Sequence, residues 1–206
     1  MATDPRLTRR HLLATGAALA LLPALPAAAM TEAQARQVID AVAAELTAIV
    51  NSGGSIDAMI RRFEQVFVNH ADMQTIARSV LGPVARQVSA SQISRFATVY
   101  RGYLARKYGR VLFSGYASGE ISVTGISKSG TVYSVTSVAR MRRRSGATER
   151  LNVVWQLSER SPENRFFNLI IDGVNLFVIE REEVPALLEQ RRGNLDQLIA
   201  DMPGLG

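Results

Sequence analysis

Cysteine is absent from all 206 residues. That single absence removes disulfides, thiolate nucleophiles, cysteine-ligated metal centres and the acyl-anchor site of a lipoprotein. Stability must therefore come from an apolar core. Histidine is nearly absent too, with only His11 and His70, and these are never at metal-ligand spacing. A hydrolase usually needs a histidine base. His70 stands beside an expected helix end, where the helix dipole favours it without any catalytic role. No glycine-rich loop fits a phosphate cradle. The longest apolar run, Leu12–Leu22, is too short to span a bilayer. These absences argue against an enzyme and against a metal or other cofactor.

What the chain does have begins with an export leader. Arg6, Arg9 and Arg10 form a basic segment, Leu12–Leu22 is the apolar stretch, and Ala27-Ala28-Ala29 is a small-residue cleavage site. Residues 1–29 are expected to be removed, leaving Met30–Gly206 as one domain of 177 residues in the periplasm. Thr8-Arg9-Arg10-His11-Leu12-Leu13 also fits a twin-arginine pattern, so two export routes stay open. The whole chain holds 24 basic and 18 acidic residues. The leader takes three Arg and one Asp with it, so the remainder carries 21 and 17, a net charge of +4. That moderate excess favours anionic partners such as membrane surfaces and does not argue for nucleic acid.

The first half of the mature chain is patterned for helices. Thr31 and Gln34 fit a capping box, and Val38, Val42, Leu46, Ile49 and Val50 then recur at helical spacing as far as Asn51. Ser55 caps a second helix with Ile56, Met59, Ile60, Phe63, Val66 and Phe67 on its apolar face. Asp72 caps a third, ended by Gly82-Pro83. The longest helix opens at Ser91 and runs to about Leu112, with an unusually aromatic stripe that includes Phe96, Tyr100, Tyr103, Leu104, Tyr108 and Val111.

The hydrophobic period then changes from helical to alternating. Four strands follow: one around Ile121 and Val123, then Val132–Met141, Leu151–Ser158 and Arg165–Ile171. Lys128-Ser129-Gly130, Ser145-Gly146 and Ser161–Asn164 mark the turns. Short turns make an antiparallel meander. A helix resumes at Val174, with a kink expected at Pro185, and breaks at Gly193. Asn194 caps a last short helix. This order predicts an α+β fold with N-terminal helices on one face of a four-stranded antiparallel sheet, closed by C-terminal helices.

Three features invite a functional reading. Asp172-Gly173 could be a catalytic carboxylate at a strand end, but Gly suits a tight turn and Asp suits a cap for the following helix. Arg140, Arg142, Arg143 and Arg144, near Arg150, are the densest charge cluster. They fit either a solvated edge that blocks aggregation or a docking patch for lipid headgroups or an acidic partner. Trp155, between Val153 and Leu157, together with Tyr133, Val135 and the inward residues of the long helix, forms an aromatic and aliphatic excess. It fits either a filled core or one that parts around acyl chains.

Several segments together resemble the MlaC family, also called the toluene-tolerance auxiliary family. Arg78-Ser79-Val80-Leu81-Gly82, with the helix start at Ser89-Ala90-Ser91-Gln92, is similar to that family's Arg-x-Val-Leu-Gly segment. Val153–Leu157 is similar to its third strand, where Tyr is usual in place of Trp155. Gly173-Val174-Asn175-Leu176 is similar to its Gly-Val-Ser-Leu junction. Asn168 replaces a common Asp, and the usual Trp at the start of the fourth strand is missing. The resemblance runs from about Glu32 to Leu198. It implies a curved sheet wrapped by helices, as in nuclear-transport-factor and cystatin-like folds, around an apolar cavity for phospholipid. It further implies a monomeric carrier moving lipid between an outer-membrane MlaA–porin complex and the MlaD ring of an inner-membrane ABC transporter, maintaining outer-membrane lipid asymmetry. Inward periodicity combined with family position nominates Val80, Leu81, Tyr100, Tyr103, Leu104, Val135, Trp155, Leu169, Ile171 and Val174 as cavity wall. A carrier of another apolar solute, such as a hopanoid or fatty acid, and an adaptor with a packed interior are the rival readings.

Overall fold

The computed structural model describes residues 29–161 and 163–206. Residues 1–28, on which the expected leader falls, lie outside them, as does Pro162. The helices begin where side chains cap them. Thr31 accepts from the Gln34 backbone, and the Gln34 side chain accepts from the Thr31 N–H, opening α1 (Glu32–Val50). Ser55 caps α2 (Ile56–His70) and Asp72 caps α3 (Met73–Leu81). A 3-10 turn, Gly82–Arg86, follows. A second capping box, Ser89 with Gln92, starts α4 (Ala90–Gly115) one residue before Ser91.

The same helix runs past Leu112 because its last carbonyls find a partner. Arg144 donates through Nη2 to the Phe113 carbonyl (2.9 Å) and through Nε to that of Ser114 (3.1 Å). Val111, placed on the inward stripe by periodicity, is 72% exposed. α2 lies against α4 closely enough that a Cβ on Gly109 would come within 3.0 Å of Ile60.

The sheet is a meander of five strands, not four: β1 (Tyr116–Ser129), β2 (Val132–Arg143), β3 (Thr148–Ser158), β4 (Phe166–Ile171) and β5 (Val174–Asn175). Each pairs antiparallel with the next. Register shifts at Tyr116/Ser118 and Val123/Gly125 in β1, and near Gln156/Leu157 in β3, bend the sheet.

The register puts Val135, Trp155 and Leu169 in one row across β2, β3 and β4, with Val153 and Ile171 paired beside it. This face belongs to the apolar cluster shared with α1–α4. The opposite face carries Ser134, Thr136, Asn152 and Gln156, so one side is buried and one solvated.

The fifth strand corrects the reading of the Asp172–Leu176 junction. Val174 does not begin a helix; it pairs with Ile171, and the chain reverses through Asp172 (φ 48°) and Gly173 (φ 82°). Two consecutive residues at positive φ between paired strands are a two-residue hairpin turn, for which Asp-Gly is a favoured sequence. Asp172 is not a helix cap. Its Oδ1 accepts from the Asn152 backbone N–H at 2.8 Å, pinning the turn to β3. The cap of α5 (Leu176–Glu189) is Asn175, whose side chain accepts from the N–H groups of Phe177 and Val178. α5 holds Pro185 within its span, and α6 (Leu195–Asp201) begins from the Asn194 cap.

Gly173→Ala forces a Cβ into the left-handed region and is expected to cost about 1–2 kcal/mol. Thermal denaturation followed by circular dichroism should show a Tm about 3–6 °C lower. An unchanged Tm would contradict the hairpin assignment.

Candidate functional site

The nominated wall residues converge on the inner face. Val80 and Leu81 on α3, Tyr100, Tyr103 and Leu104 on α4, and Val135 and Trp155 on the sheet are all buried in one cluster, with Leu169 and Ile171 packed against it. Trp155 is satisfied within this apolar surround: its Nε1–H donates to the Ser137 hydroxyl at 2.9 Å. Its ring meets Phe166 edge-on at 5.3 Å. From the helix side, Phe96, Tyr100 and Tyr103 stack in sequence, with centroids 5.0 and 5.6 Å apart. Val174 stands apart on the edge strand, 52% exposed.

The tyrosines of α4 also carry a polar cluster that periodicity did not reveal. Glu180 on α5 is buried, and its Oε2 accepts from the Tyr100 hydroxyl at 2.6 Å. Its Oε1 accepts from both Tyr108 and the Lys107 ammonium, each at 2.6 Å. Glu183, one turn further along α5, accepts from Tyr103 and Lys107. Positions 100, 103, 107 and 108 share one face of α4, and 180 and 183 share one face of α5. Six polar side chains thus clasp the two helices together over the apolar wall.

Burial, reinforced by the Glu180 charge and hydrogen bond, pushes the Tyr100 hydroxyl far above the ordinary tyrosine range. Tyr103 and Tyr108 are raised for the same kinds of reason, burial first and the glutamates second. Burial opposes the charge on Lys107, but hydrogen bonds to Glu180 and Glu183 outweigh it and hold its pKa up. Burial likewise opposes ionisation of Glu183, yet Lys107 and Tyr103 hold its carboxyl below the usual range.

The arginine cluster divides by role. Arg144 caps α4, and Arg143 pairs with Glu149 at 2.5 Å while lying over the Tyr116 ring. Arg140 and Arg142 alternate with buried Met141 and are exposed on the polar face, Arg140 opposite Glu120 on β1 and Arg150 on β3. His70, the last residue of α2, donates from Nε2 to Glu45 at 2.8 Å. Among the described residues, no group of three His, Cys, Asp or Glu side chains is placed to hold a metal, and no helix is long and apolar enough to cross a membrane.

Comparison with known proteins bears on this geometry. The family model described as MlaC protein matches residues 36–203. No curated protein matches the chain. Among solved structures, a phospholipid-binding protein from Ralstonia solanacearum, determined in complex with a phospholipid, superposes with a TM-score of 0.61. It is 16% identical, and the match covers 82% of this chain and 93% of that one. The shared feature is the fold: an antiparallel sheet with its helices on one face.

The clasp sets a pH window for stability. The folded-state pKa of Glu183 lies below its unfolded value, so its contribution is complete above about pH 5 and fades as pH falls through the carboxylate range. Lys107 and the three tyrosines lie above theirs, so their contribution is complete below about pH 9 and fades as pH rises. Urea denaturation should therefore show stability falling between about pH 9 and 11, with a shallower fall in Tyr100→Phe. Glu180→Gln, which removes one of the two carboxylate partners of Lys107 and the buried acceptor of Tyr100 and Tyr108, should cost about 3 kcal/mol at neutral pH. A flat alkaline limb, or a Glu180→Gln variant as stable as the parent, would contradict the clasp.

Proposed function

The chain belongs to the MlaC family, and from that premise we propose that it is a periplasmic phospholipid carrier. The observation that carries the reading is the family match, which spans nearly the whole described domain. The geometry supports it. The inner face offers an unbroken apolar row, Val135–Trp155–Leu169, opposite α3 and α4. Such a surface suits acyl chains. The phospholipid bound by the Ralstonia solanacearum protein of the same fold points to the same class of cargo.

Burying acyl chains gains roughly 0.8 kcal/mol per methylene, so two chains together are worth more than about 20 kcal/mol against water. A loaded carrier therefore does not release lipid into the periplasm. A membrane interior and an apolar pocket are similar solvents, so transfer between them is close to neutral. Exchange then takes place while the carrier is docked, and direction comes from the partner. In this account the partners are an MlaA–porin complex at the outer membrane and an MlaD ring at the inner membrane. Acyl chains enter the cavity by parting α3, α4 and α5 from the sheet, since the wall residues are otherwise packed on one another.

All four nominated arginines are exposed, but Arg143 and Arg144 already serve Glu149 and the end of α4, whereas Arg140 and Arg142 form no ion pair among the described residues and are the ones free to dock.

Leu104→Glu places a charge on the wall and is expected to abolish co-purifying phospholipid in extracts analysed by mass spectrometry. Undiminished phospholipid would remove Leu104 from the wall. Arg140→Glu with Arg142→Glu should weaken binding to an MlaD ring, measured by surface plasmon resonance, while leaving bound lipid unchanged. Unaltered binding would make these two arginines a solvated edge.

A further inference from the structure

The cargo's phosphate has a candidate seat at the seam between α3 and α5. A cleft of about 500 Å³ opens there, lined by Arg78 and Ser79 from the end of α3, Gly82, Pro83 and Arg86 from the 3-10 turn, and Arg181 from α5. Its volume falls within the ~300–1,000 Å³ of ordinary small-ligand sites. Three guanidinium groups surround it and no carboxylate lines it. All three arginines are exposed, and none pairs with a carboxylate among the described residues. Most other arginines near the helices are engaged: Arg101 with Glu64, Arg106 with the Met202 and Leu205 carbonyls, Arg191 with Asp201. An unneutralised cluster of three around a concavity fits a doubly or singly charged oxyanion, because each guanidinium presents paired donors matched to phosphate oxygens.

A second observation says what the anion is attached to. Val174, Val178 and Ile179, three of the large apolar side chains the surface leaves exposed, lie on β5 and the first turn of α5. Phe177 and Val178 are one turn before Arg181, on its side of the helix, and the Arg181 guanidinium lies 5.9 Å from the Phe177 ring centroid. Inward from the cleft, Val80 and Leu81, which sit between Ser79 and Gly82, belong to the apolar cluster. Cationic groups around the cleft, the Phe177 ring beside Arg181 and an apolar interior behind describe the polarity of an amphiphile.

We propose that the Arg78–Arg86–Arg181 cleft binds the phosphate of the carried phospholipid, seating the headgroup at the α3–α5 seam while the acyl chains pass inward beside Val80 and Leu81. This rests on the carrier reading and adds to it a fixed position for the headgroup and a requirement for phosphate. Neutral amphiphiles with the same chains are consequently held less tightly.

The test uses the delipidated mature protein and a variant in which Arg78, Arg86 and Arg181 are all changed to Gln. The three side chains are exposed, so the variant should fold, which an unchanged melting curve verifies. Binding of phosphatidylglycerol and of diacylglycerol with identical chains is measured for both proteins by displacement of a fluorescent fatty-acyl probe. The parent should prefer phosphatidylglycerol, and the variant should lose about tenfold or more in its affinity while binding diacylglycerol as before. Restoring the three positions as Lys should recover part of the loss, since charge returns without the paired donors. Equal phosphatidylglycerol affinities in parent and variant would overturn the headgroup seat and leave the carrier reading standing. A parent that binds neither lipid would overturn the carrier reading itself. Inorganic phosphate bound by the parent and lost in the variant, with lipid affinity unmoved, would identify a free-phosphate site and also overturn the proposal.

Discussion

A sheet with one apolar face has to bury that face, and the rest of this molecule is arranged around how it does so. Trp155 sits at the centre of the face, in a row with Val135 and Leu169. α1 covers the part at β1 and β2, α4 touches β1, α3 and α5 cover the part at β4, and α2 packs on α1 and α4. The bulges in β1 bend its strand against the helices. Because the chain has no cysteine and so no disulfide, this burial and the caps that start each helix carry the stability.

The α4–α5 clasp adds a different kind of constraint. Hydrophobic contact between helices is tolerant of sliding, whereas a buried glutamate needs particular partners at particular positions. Glu180 takes hydroxyls from Tyr100 and Tyr108 and the ammonium of Lys107, and so fixes α5 in register on α4. α5 is also the helix whose opposite face carries Arg181 and the exposed Val178. One side of α5 is therefore held by a polar lock and the other is left for cargo or a partner. In the proposed carrier the lock would make α4 and α5 move as one body when the helices part from the sheet.

Much of this architecture was legible from the chain alone. The capping residues Thr31, Ser55, Asp72 and Asn194 each start the helix their sequence announces, because a cap depends only on its own few residues. Strand alternation placed Val153, Trp155 and Leu157 on one face, and the register agrees. The hairpin at Asp172-Gly173 was misread although its signal was present: two residues of turn chemistry between Ile171 and Val174 indicate a reversal, and a familiar strand-to-helix string concealed it. The clasp was not legible, since Tyr100 and Glu180 are 80 positions apart and nothing local pairs them. The role of Arg144 is hidden for the same reason, since the carbonyls of Phe113 and Ser114 lie far back in the chain, whereas Arg143 pairs with Glu149 across its own hairpin. A run of arginines reads as one patch, yet strand alternation, a hairpin pair and a long-range helix cap send its members to different places.

The central claim is that the inner face around Trp155 is a wall for phospholipid acyl chains. Incorporating a photo-crosslinking phenylalanine analogue in place of Trp155, irradiating the protein in its native periplasm and analysing the product by mass spectrometry tests it directly. The account predicts a covalent adduct of one phospholipid per chain, attached through an acyl chain. A protein that crosslinks only to itself at this position, while folded, would contradict it.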